Sequence, residues 1–74
     1  MLKAHDTVAL TRDIPEQGLK AGDLGAIVHV YTDGQAFEVE FVSLTGQTLA
    51  LATLPTDAIR QVRDREIAHV RQVA

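Results

Sequence analysis

Phe37, Val39 and Phe41 alternate strictly with Glu38 and Glu40. Side chains on a β-strand point to opposite faces with period two, so these five residues make one oily face and one wet face only when extended. On a helix the same residues would scatter rings and carboxylates around the whole circumference. A strand over residues 35–42 is therefore the fixed point for the rest of the chain. Just before it, Asp33-Gly34 supplies two neighbouring positions tolerant of positive φ, the requirement of a tight hairpin turn.

The remaining segments are read outward from that hairpin. Residues 5–11 put Val8 and Leu10 on one side, the pattern of a first strand. Residues 13–18 contain Pro15 and Gly18, which take the chain out of a sheet into a loop that ends near Gly22-Asp23. In residues 24–31, Leu24, Ala26, Val28 and Val30 alternate with Gly25, Ile27, His29 and Tyr31, so Val28 and Val30 are expected inward and Ile27 needs a separate cover. Residues 47–54 form a fourth strand with Leu49 and Leu51 expected inward, and Pro55 ends the pairing. Residues 56–58 make one helical turn before a short closing strand over 59–62.

Five short strands joined mainly by tight turns predict a small all-β barrel over residues 1–62, with closure removing the sheet edges. A length of 74 residues with 46% hydrophobic content fits one such domain and no more. Residues 63–74 do not alternate. Ile67, Val70 and Val73 recur three apart as a narrow helical stripe, which predicts a short C-terminal helix or an extended tail. A helix of this length is marginal in water, so its stripe needs an apolar surface on the barrel or on another chain, and covering Ile27 is one such use.

Composition excludes several functions. There is no cysteine, hence no disulfide, thiolate metal site or cysteine nucleophile. Residues 1–56 carry three basic side chains against seven acidic ones, whereas residues 57–74 carry four against three, for a net charge of -3. Nucleic-acid binding gains affinity from clustered Lys and Arg, and the main body has no such cluster. No apolar run is long enough to cross a bilayer and the opening residues lack a signal-peptide core, so a cytoplasmic setting is expected.

No residue set has the spacing of a catalytic, cofactor or metal site. Gly22 and Gly25 lack the rest of a phosphate-loop fingerprint, and a tight turn with Gly25 at a bulge explains them. Glu38 and Glu40, ~7 Å apart on one strand face, have the separation of paired catalytic carboxylates, but nothing nearby desolvates one of them to split their acidities. His5, His29 and His69 would have to converge from three distant segments to hold a metal. Ser43, Thr45 and Thr48 cluster at a turn, where hydroxyls ordinarily bond the backbone. The chain is therefore read as non-enzymatic, without a cofactor.

Residues 6–10, 13–16, 18–19, 22–28, 37–41 and 46–48, taken together, resemble a family of short bacterial domains of unknown function, family 4926, over roughly residues 3–62. The Gly22-Asp23-Leu24-Gly25 turn entering a strand is also similar to the KOW element of ribosomal and transcription-factor barrels. The resemblance implies an SH3-like β-barrel. The proline-peptide groove of signalling SH3 domains is not expected, since it needs an aromatic cluster and this chain has no tryptophan. The expected role is a protein-interaction module or small accessory subunit. Its contacts are expected at Asp13, Ile14 and Glu16 of the acidic loop, at Leu44, and at Ile67, Val70 and Val73 of the tail. The partner is another protein or a second copy, as a homodimer through the tail. The rival reading is a KOW-like nucleic-acid-binding barrel using Arg60, Arg63, Arg65 and Arg71 as phosphate contacts.

Overall fold

The computed structural model describes residues 2–73; Met1 and Ala74, the outer ends of the two expected segments, lie outside the described residues. The protein is all-β. Its strands are β1 (Thr7–Leu10), β2 (Leu24–Val30), β3 (Ala36–Val42), β4 (Thr48–Pro55) and β5 (Ile59–Gln61), joined in one antiparallel sheet in the order β4-β3-β2-β1-β5. Helical geometry among the described residues is confined to single 3-10 turns at Pro15–Gln17, Thr32–Gly34 and Thr56–Ala58. The β2–β3 hairpin turns where expected and for the expected reason, with Asp33 at φ 70° and Gly34 at φ 64°.

One apolar cluster holds the domain together. It takes residues from every strand, including Leu54 of one edge strand and Ile59 of the other. No second layer covers the sheet, so these side chains meet only because the sheet coils around its own inner face. β4 and β5 are not hydrogen-bonded to each other, so the series stays linear and the expected ladder closure is absent. Leu19 completes the core from the β1–β2 loop. That loop is folded against itself by the Ile14–Leu19 bridge, and Asp13 and Asp23 accept hydrogen bonds from the Ala21 and Lys20 amides.

β4 and the first part of β2 present the opposite face from the one expected, while Val30 packs on the core as expected. In β2, Ile27 is completely buried and Val28 is 43% exposed. The register explains it: Ile27 pairs with Val39 and His29 with Glu38, leaving Val28 as an inserted residue that restarts the alternation so that Val30 lies beside Phe37. Ile27 is therefore core and requires no cover from the tail. The bulge sits at Val28, not at Gly25 as expected. Gly25 is needed for close approach, since a Cβ there would meet Val39 Cγ1 at 2.7 Å and Phe41 Cε2 at 2.9 Å.

In β4, Ala52 and Leu54 are buried while Leu49 and Leu51 are exposed. Directly opposed residues of an antiparallel pair share a face, and here Ala50 opposes Phe41, Ala52 opposes Val39 and Leu54 opposes Phe37. Phe41 and Val39 fill the interior, so the facing positions take alanine and the leucines go outward. The remaining expected core residues Val8, Leu10, Phe37, Val39 and Phe41 are buried as read from the sequence.

The segment after β5 is not helical. The Val62 amide donates to Thr7 O at 3.2 Å, and the chain then turns with Arg65 at φ 67° and runs on without regular structure. Glu66 supplies the competing interactions: its carboxylate accepts both Arg60 Nη atoms, at 3.0 and 2.6 Å, and the Arg63 amide at 2.6 Å. A stripe of three apolar residues has too little burial to outweigh these contacts and the cost of nucleating a short helix.

Candidate functional site

Where β2 begins, β3 ends and β4 begins, residues 68–73 pass alongside the sheet and leave a cleft of about 430 Å³ between them. Leu24, Val42, Leu44 and Leu49 line it from the sheet side, and Val70 and Val73 from the tail side. The β3–β4 turn spends its polar groups on itself. Ser43 N donates to Gln47 O, the Gln47 amide donates to Ser43 Oγ, and Gly46 N donates to Ser43 O with Gly46 at φ 93°. Leu44 at the tip is consequently held outward and is 89% exposed. Ser43 and Thr45 hydroxyls lie 3.0 Å apart within the same turn, a backbone-stapling role as expected of such residues.

Arg71 fixes the tail wall. Its Nε donates to Asp23 Oδ1 at 2.7 Å, its Nη2 donates to Asp23 Oδ2, and the same Nη2 donates to Gly18 O at 3.0 Å. The Arg71 hydrogen bond holds the Asp23 carboxyl below its ordinary range, with help from the Lys20 amide and against the effect of partial burial. Asp23 in turn raises Arg71, and the charge of Asp13 adds to that. One turn of chain earlier, hydrogen bonds from Arg60 and from the Arg63 amide hold Glu66 down from its ordinary 4.5 to about 2. The tail thus rests on two ion pairs flanking exposed apolar residues.

The expected contact residues separate into three groups. Leu44, Val70 and Val73 meet at the cleft, with Val70 82% exposed. Ile67 is exposed on the tail but does not line the cleft. Asp13 and Ile14 serve the loop itself, Asp13 by receiving the Ala21 amide and Ile14 by packing on the core, while Glu16 is exposed on the first 3-10 turn. Leu24, Val42 and Leu49 were not expected at the site; the outward facing of Leu24 and Leu49 follows from the register, whereas Val42 shares the outward phase of Glu38 and Glu40 in β3.

Other candidates find structural partners. Glu38 Oε1 accepts from Tyr31 Oη and from Thr53 Oγ1, and Glu40 Oε2 accepts from Thr48 Oγ1 at 2.7 Å, so both carboxylates sit in cross-strand hydrogen bonds on the outer face. His29 packs edge-on against Tyr31 at 4.6 Å, and His69 lines the cleft. Among the described residues no group of three or more His, Asp or Glu side chains is placed to hold a metal ion. Two of the four arginines of the nucleic-acid reading are already paired, Arg60 of β5 with the tail's Glu66 and Arg71 of the tail with Asp23, which removes them from an array facing phosphates. No helix among the described residues is long and apolar enough to cross a membrane.

A family model described as a domain of unknown function (DUF4926) matches residues 4–61. The chain belongs to this family. The matched region contains all five strands and ends where β5 ends, so the tail wall of the cleft lies beyond it. No curated protein and no solved structure matches the chain.

Proposed function

We propose that this domain is a non-enzymatic protein-interaction module, a small accessory subunit that takes an extended apolar segment of another protein into the cleft between the β3–β4 turn and the tail. The observation that carries this reading is the convergence of Leu24, Val42, Leu44, Leu49 and Val70 on one concavity, although all five are exposed. Scattered exposed apolar residues are normal on small proteins, whereas a concave group of them is a feature of recognition sites. The Asp23–Arg71 pair at the rim gives such a segment polar groups to orient against without forming the floor of the site.

The test compares partner capture from native lysate by the parent protein, by Leu44→Asp and by Glu16→Gln, read by quantitative mass spectrometry. A partner retained by Glu16→Gln and depleted at least about tenfold by Leu44→Asp, a loss of ~1.4 kcal/mol, is expected. Identical capture by all three proteins overturns the reading.

A further inference from the structure

The two edges of the sheet are protected very differently. β5 is three residues long and carries Arg60, which the Glu66 carboxylate covers from the tail. Short length, charge, proline and bulges are among the means by which proteins keep an edge strand from pairing with another chain. β4 is neither short nor charged, and its proline and its irregular register with β3 fall at its two ends, leaving residues 50–54 between them. It spans eight residues, Thr48–Pro55, has no hydrogen-bonded neighbour on its far side, and lies within a stretch with no charged residue between Glu40 and Asp57. Leu51, 53% exposed, stands on its outward face.

We infer that β4 is a self-pairing edge, on which a second copy of this chain adds its own β4 antiparallel across a two-fold axis. The occupant follows from the charge pattern. A two-fold axis sets the residues closest to it beside their own copies and pairs the others reciprocally, so like charges along the strand would be brought together, and β4 is the edge where that penalty is absent. Centred near Leu51, the pairing sets Leu51 of one copy beside Leu51 of the other and brings Thr53 towards Leu49. The nearest like charges across the seam are the two Glu40 side chains, one strand further in on each side. Three strand spacings put them ~14 Å apart, beyond the ~8 Å screening length at physiological salt. Because β5 remains blunted, the assembly ends at two copies and does not extend into a fibre. This goes beyond the cleft reading and is separable from it, since Leu51 does not line the cleft.

The test is sedimentation velocity of the full chain from about 1 to 200 µM, a range that brackets a micromolar dimer. Four proteins are compared, namely the parent, Leu51→Lys, Leu51→Glu and Val70→Asp, each checked for folding by circular dichroism. Expected are a concentration-dependent dimer for the parent and for Val70→Asp, and at least a tenfold rise in dissociation constant for Leu51→Lys and for Leu51→Glu alone. An equimolar mixture of the two Leu51 variants should recover dimer, because only there do opposite charges meet across the seam. A parent that stays monomeric at the highest concentration overturns the inference. So does a dimer that survives Leu51→Lys, that is lost in Val70→Asp, or that the mixed variants fail to restore.

Discussion

Arg71 and Asp23, 48 positions apart in sequence, form a two-pronged ion pair that ties the tail to the start of β2. It joins a segment without regular structure to the loop that caps the core with Leu19. Exposed pairs of this kind contribute little to global stability, so the pair places the tail far more than it stabilises the sheet.

Arg71→Ala should therefore leave the melting temperature within a few degrees of the parent. Amide exchange of residues 68–73 should rise to the rate of an unstructured chain. Global unfolding by this substitution would show that the tail is part of the cooperative core.

Acid should release the tail before it unfolds the sheet. Glu66 and Asp23 both have lowered pKa values when docked, so their pairing favours the docked state above the ordinary carboxylate range and loses that advantage as pH falls. For Glu66 the window runs from 4.5 down to about 2. Carboxyl chemical shifts recorded across this range should show Glu66 titrating well below 4.5. A Glu66 midpoint at 4.5 would mean that Arg60 does not hold it in solution.

Ile27→Ala and Val28→Ala should differ sharply although they are neighbours in one strand. Ile27 is fully buried and its truncation should cost ~2–5 kcal/mol, a large share of the ~4–11 kcal/mol expected for 74 residues. Val28→Ala should stay within about 0.5 kcal/mol. Urea unfolding of both variants measures the difference, and a reversed order would place the bulge elsewhere.

Gly25→Ala should destabilise by roughly 1–3 kcal/mol through overpacking. The added methyl meets Val39 Cγ1 and Phe41 Cε2 below 3 Å, and Glu40 O stands at 3.0 Å behind them. A combined Gly25→Ala and Val39→Ala variant should lose less stability than the two single changes added together. Strict additivity would show that the methyl and Val39 do not compete for the same space.

The sequence is most informative where polarity and size agree. β3 is legible because Phe37, Val39 and Phe41 are both apolar and large, and the carboxylates between them admit only one facing. β4 is not legible from polarity alone, because alanine and leucine are both apolar. Its facing is set by the volume left beside Phe41 and Val39, which only the cross-strand register reveals. β2 misleads for a different reason, since one inserted residue reverses the alternation halfway along. At the cleft, Leu44, Val70 and Val73 are visible as apolar residues outside the strand pattern. Leu24 and Leu49 become visible only once the facing of β2 and β4 is known, whereas the outward facing of Val42 already follows from the alternation of β3. The tail stripe fits a helix in spacing alone. Arg60 and Arg71, which anchor the tail by side-chain chemistry, carry no periodic signal.

The inserted Val28 makes β2 a strand with two reading frames, each setting its own half of the side chains against the core. Loss of the Val28 codon would leave Ile27 opposite Val39, His29 opposite Glu38 and Val30 opposite Phe37 in one unbroken alternation. A deletion at this position should thus be borne far better than one between Phe37 and Phe41, where every residue has a cross-strand partner.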